Sequence, residues 1–97
     1  MSLEEVYVRV SGLVQGIGYR WAACKKARSL GVAGWVRNRS DGDVDAILQG
    51  QDEDIAEMLS WMNQGPPGAR VLDLTLERRE PSFIHEDFVI LREQREP

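Results

Sequence analysis

The sequence predicts an α+β domain in which one antiparallel sheet carries two helices on a single face. Three observations lead there. Several stretches alternate apolar and polar residues with period two, two others repeat apolar residues at helical spacing, and the two kinds interleave as β-α-β-β-α-β. A chain of 97 residues holds one such domain, residues 1–97, with a core that needs no disulfide staples.

Val6, Val8 and Val10 alternate with Tyr7, Arg9 and Ser11, which predicts a first strand over 5–11 with one buried face. After a glycine-rich loop, Trp21, Cys24, Ala27 and Leu30 recur every three residues and Gly31 supplies a stop, predicting a helix over 20–30. Residues 32–38 extend as a second strand. Ser40, Asp41 and Gly42 then suit the tight turn of a hairpin. In the third strand Val44, Ala46 and Leu48 face one side, and Asp43, Asp45 and Gln49 face the other, until Gly50. Asp52 reads as an N-cap, Glu53 and Asp54 suit the positive helix end, and Ile55, Met58, Leu59 and Met62 form one apolar face. Gly65-Pro66-Pro67-Gly68 ends that helix, and Leu72, Leu74 and Leu76 alternate as a fourth strand closed by Pro81. The run Phe88-Val89-Ile90-Leu91 predicts a short extra C-terminal strand. Right-handed crossovers place the first and third strands centrally, giving the sheet order 4-1-3-2 of a ferredoxin-like split β-α-β sandwich.

Composition narrows the function classes. The net charge of −4 argues against a general polyanion binder, so no nucleic-acid partner is expected. A ferredoxin-like RNA reader would also present aromatic platforms on its central strands, where only Tyr7 stands. The acidic start of the chain does not resemble a signal peptide, and no apolar run approaches the roughly 20 residues of a membrane span. No membrane association and a cytoplasmic monomer are expected. Cys24 is the single cysteine and His85 the single histidine, so neither a disulfide nor a metal site nor any other cofactor is expected. Cys24 reads as core and His85 as exposed. None of the tryptophans is assigned a site role.

The chemistry concentrates in Gly12-Leu13-Val14-Gln15-Gly16-Ile17-Gly18-Tyr19-Arg20, where a strand runs into glycines and stops at an arginine opening a helix. Glycines at φ > 0 let successive N–H groups converge on one anion. The helix dipole favours the same negative charge, and Arg20 adds an always-charged fork. No Lys-Ser or Lys-Thr pair follows the loop, so a nucleotide P-loop is excluded.

This stretch resembles the first signature of the acylphosphatase family, G-x-V-Q-G-V-x-[FY]-R, departing only at Ile17. Gly34-Trp35-Val36-Arg37-Asn38-Arg39-Ser40-Asp41-Gly42-Asp43-Val44 resembles the second, G-x-V-x-N-x-x-D-G-x-V, at every fixed position. The resemblance covers the whole chain and implies the same fold, a free-standing acylphosphatase and a small acyl phosphate as substrate. It places the catalytic roles on Arg20 and Asn38 and the phosphate cradle on Gln15, Gly16, Ile17, Gly18, Tyr19 and Arg20. The residue chemistry agrees. An acyl phosphate expels a carboxylate of pKa about 4, so no general acid is needed. Backbone N–H groups and Arg20 can hold the phosphoryl oxygens, and Asn38 can hold an attacking water in line. Arg37 and Arg39 read as solvated hairpin arginines that could also widen the positive field. A second reading remains open: a noncatalytic phosphate- or small-anion-binding domain, serving as sensor or accessory to a partner enzyme.

Overall fold

The computed structural model describes residues 3–93. Along the chain run β1 (Glu4–Leu13), α1 (Tyr19–Leu30), β2 (Ala33–Asn38), β3 (Val44–Gly50), α2 (Asp52–Gln64), β4 (Arg70–Arg79) and β5 (Phe88–Ile90). The sheet order is β4-β1-β3-β2-β5, so the ferredoxin-like arrangement is present and the C-terminal strand extends it by one. β1 pairs antiparallel with β3 and β4, and β2 pairs antiparallel with β3. β5 lies parallel to β2, with Gly34 opposite Phe88 and Val36 opposite Ile90. That parallel edge is reached because Phe88 is fully buried in the core and anchors the strand.

Alternation in β1 works as the valines require. Val6, Val8 and Val10 are buried against Tyr19, Ala23 and Ala27 of α1 and Ile55, Met58 and Met62 of α2, within one apolar cluster. Each such valine contributes roughly 1.5–3 kcal/mol relative to exposure, and both helices therefore cover the same face.

Five local expectations are corrected. Trp21 is 66% exposed, because α1 starts at Tyr19 and turns Tyr19, Ala23, Cys24 and Ala27 inward. Asp52 is the first helical residue of α2 and Gln51 holds the extended cap position, so Asp52 serves the helix dipole and not the cap. The register between β1 and β4 shifts at Ser11/Gly12, which places Val71 opposite Gly12 and leaves Leu72 75% exposed. On β3 both faces are covered: Asp45 and Gln49 are buried along with Val44, Ala46 and Leu48. Finally, His85 is half-buried, its backbone N–H donating to Gln49 Oε1 and its ring lying 4.8 Å from Phe83.

Candidate active site

The loop leaving β1 reaches α1 through two left-handed glycines, Gly16 at φ 78° and Gly18 at φ 81°, with Ile17 at negative φ between them. Such alternation of hand turns successive N–H groups toward one side of the chain. Gly18 is the N-cap of α1, no side chain caps the helix, and no acid stands in its first turn. Among the described residues no backbone carbonyl accepts from the amides of Gly16, Ile17, Gly18, Tyr19 or Arg20. These unpaired donors and the helix dipole form a fixed positive pole.

Arg20 follows in the first turn, half-buried and without a carboxylate partner among the described residues. Arg9, Arg28, Arg37, Arg39, Arg78 and Arg79, in contrast, each pair with an acid. Across from the loop, β2 presents Gly34, Val36 and Asn38 on its buried face, so Asn38 ends an otherwise apolar row. It is 8% exposed, and its Oδ1 is buried with no hydrogen-bond partner among the described residues. Gly16, Gly18, Tyr19, Arg20 and Asn38 line one cavity of about 210 Å³, together with Val14, Trp21 and Ile90. Sequence reasoning missed those last three. Trp21 had a usable signal, since Tyr19, Ala23 and Ala27 repeat every four residues and leave it off the core stripe.

The side chains of two of the expected loop residues are engaged outside the cavity. Ile17 packs against the core cluster and does not line the cavity. Gln15 turns its amide to the β2–β3 hairpin, where Nε2 donates to the carbonyls of Arg39 and Asp43, both at 2.9 Å. It thus ties the loop to the turn that follows Asn38. Tyr19 lines the cavity while its ring is buried and its hydroxyl donates to Met62 O at 2.7 Å. Burial pushes its phenol pKa well up, so it stays neutral.

The hairpin is braced on the face away from the helices. Asp45 is fully buried and accepts from Tyr7 Oη at 2.7 Å and from Arg37 Nε at 2.8 Å, with Arg39 Nη1 at 3.5 Å. Arg9 reaches Asp43 and Asp41, and Arg39 also reaches Asp41. The backbone N–H of Asp43 holds the Asp41 carboxyl below its ordinary pKa, and Arg39 and Arg9 add to that effect. Arg37 and Arg39 are therefore structural partners of Asp45, and Arg37 also stacks 4.7 Å from the Trp35 ring. Among the described residues no group of three His, Cys, Asp or Glu side chains could hold a metal ion. No helix among them is long and apolar enough to cross a membrane.

Comparison with known proteins bears on this arrangement directly. The acylphosphatase family model matches residues 6–90, a span that contains the loop, Arg20 and Asn38. An acylphosphatase of Paraburkholderia xenovorans is 46% identical over 86 residues, 89% of each chain, and one of Bordetella parapertussis is 50% identical over 76 residues, 78% of this chain and 81% of that one. The structure of an acylphosphatase from Coxiella burnetii superposes with a TM-score of 0.88 at 35% identity, covering 92% of this chain and 93% of that one. On sequence, fold and coverage alike, the chain belongs to the acylphosphatase family.

Proposed function

We propose that the 97-residue chain acts as one domain that hydrolyses acyl phosphates to a carboxylate and inorganic phosphate, with Arg20 and Asn38 as the catalytic residues. The observation that carries this reading is the buried, unpartnered Oδ1 of Asn38, which shares one cavity with the unpaired Arg20 and the loop glycines. A buried acceptor left open costs stability and suits a group waiting for a ligand. Hydrolysis is the activity of the family, and the residues present account for each part of it.

The phosphoryl oxygens take hydrogen bonds from the loop amides of residues 15–20 and from the Arg20 guanidinium, whose planar fork matches them. A water donates one hydrogen bond to Asn38 Oδ1, which orients a lone pair at phosphorus opposite the acyl oxygen. Attack forms the new P–O bond as the bond from phosphorus to the acyl oxygen breaks, and the carboxylate leaves with its electron pair. The water's proton passes to a phosphoryl oxygen, so carboxylate and dihydrogen phosphate are the products. Donors aimed at the equatorial oxygens stabilise the transition state most, where charge is spread across them. The cavity of about 210 Å³ suits the phosphoryl end alone.

The test is release of phosphate from benzoyl phosphate by the purified protein, with and without EDTA. Wild type is expected to turn over in both, while Arg20→Ala and Asn38→Ala each lose at least about 10²-fold, the usual cost of removing one such donor or orienting group. Arg20→Lys restores little of it, because an ammonium lacks the fork. Undiminished turnover by Arg20→Ala overturns the mechanism. Binding of phosphate without turnover would instead favour an anion-binding role. The reading extends to a monomer in the cytoplasm, where the lone thiol of Cys24 stays reduced; sedimentation as a dimer would contradict it.

A further inference from the structure

Beside the phosphate cavity lies a second one of about 410 Å³, lined by Trp21, Cys24, Lys25, Arg28, Val89 and Ile90. Trp21 and Ile90 line both, so the two share a wall at the edge formed by α1 and β5. The outer cavity is apolar along Trp21, Val89 and Ile90, all substantially exposed. Among the described residues no carboxylate lines either cavity. In a chain with 16 acidic residues against 12 basic ones, that distribution is selective.

Its two cations differ. Arg28 is engaged, with Nε donating to Phe88 O at 3.1 Å and Nη2 facing Asp87 at 3.4 Å. Lys25 has no carboxylate partner among the described residues, and its ammonium sits 5.2 Å from the centre of the Trp21 ring. Lys26, next along the helix, is by contrast paired with Glu57. Trp21 and Lys25 are one helical turn apart and share a face. From Arg20 to Lys25 the helix rises about 7.5 Å, at about 1.5 Å per residue.

Building on the hydrolytic reading, we propose that this groove receives the acyl portion and favours acyl phosphates bearing a second negative charge, as in a singly phosphorylated dicarboxylic acid. The phosphoryl end sits with Arg20 and Asn38, the methylenes lie along Trp21 and Ile90, and the distal carboxylate meets Lys25. Lys25 is then a specificity-determining residue. Its ammonium already rests on an aromatic face, which restricts its motion before a ligand arrives.

Succinyl phosphate and its uncharged analogue butyryl phosphate separate the idea from general acyl phosphate hydrolysis. In wild type the ratio of their kcat/KM values is expected to exceed one and to fall as salt is added, since a partly exposed charge contact is screened. Lys25→Glu should lower that ratio roughly three- to tenfold, through KM, and Lys25→Met by less. A ratio that ignores both substitutions, or that lies at or below one in wild type, overturns the proposal. Calorimetric binding of the two matching non-hydrolysable phosphonates gives the same comparison without turnover. Preference in binding with no hydrolysis would keep the subsite and sink the hydrolytic reading, whereas hydrolysis without preference does the reverse.

Discussion

Asn38 occupies a position that packing alone would fill with carbon. It follows Gly34 and Val36 on the buried face of β2, and its Oδ1 finds no donor among the described residues. An orphaned buried acceptor costs about 1–3 kcal/mol, so the residue trades stability for a ready acceptor. Asn38→Leu is therefore expected to raise the urea midpoint, by the equivalent of about 1 kcal/mol at most, while phosphate release collapses. A clear loss of stability in that variant would mean that the amide is held by the fold after all. The spacing of the second motif was enough to single out Asn38, yet its missing partner was not readable, since an asparagine before an Asp-Gly turn looks like turn chemistry. Trp21 was misread for a simpler reason. A three-residue repeat through Trp21, Cys24, Ala27 and Leu30 counts as helical, but the loop ends at Gly18 and Tyr19 sets the phase, which rolls Trp21 outward to the cavity mouth.

At the scale of elements, the site exists only if the glycine loop and the β2–β3 hairpin keep their relative placement. β1, which leads into the loop, and β2, which leads into the hairpin, flank β3 in the sheet, and Gln15 joins loop and hairpin through two bonds to hairpin carbonyls. A glutamate there would turn acceptors toward acceptors. Gln15→Glu should accordingly cost more activity and more stability than Gln15→Met, with about 1–3 kcal/mol lost by the glutamate in urea unfolding. Equal effects of the two would show that the amide bonds contribute little. The brace on the other face is stronger. Asp45 is fully buried between the half-buried Tyr7, Arg37 and Arg39, so Asp45→Ala leaves partly shielded donors unpaired and is expected to lower stability by about 1–3 kcal/mol, read as a shift of the chemical unfolding midpoint. Period-two alternation recovered β1, β3 and β4 as strands but said nothing about what covers a face. Asp45 and Gln49 look solvent-facing by pattern, and are covered instead by arginine side chains and by the segment of Phe83 and His85. The bulge at Ser11/Gly12 was equally hidden, because Leu72, Leu74 and Leu76 keep a regular spacing across a register shift that only the partner strand imposes.

For the molecule as a whole, acid and alkaline pH act on a carboxyl group and on two phenols, and on neither Arg20 nor Asn38. Hydrolysis by a guanidinium and an amide calls on no group that ionises near neutrality, so it should be level across neutral pH once the ionisation of the substrate is divided out. Stability behaves otherwise. The Asp41 carboxyl has its folded pKa lowered by the Asp43 amide and by Arg39 and Arg9, so its contribution is present above the unfolded value and is lost as pH falls through the folded one. Tyr19 and Tyr7 have theirs raised by burial, with the Asp45 hydrogen bond and charge adding at Tyr7. Their contribution is complete below the unfolded phenol value of about 10 and is lost as pH rises through the folded one. Thermal midpoints followed by circular dichroism should thus form a plateau through neutrality with an acid limb and an alkaline limb. Tyr19→Phe separates the two effects of that residue. Loss of the bond to Met62 O lowers the plateau by about 1 kcal/mol, while removal of a buried phenol that resists ionisation makes the alkaline limb shallower. An alkaline limb as steep in Tyr19→Phe as in wild type would shift the cause to Tyr7, the other raised phenol, on the braced face of the sheet.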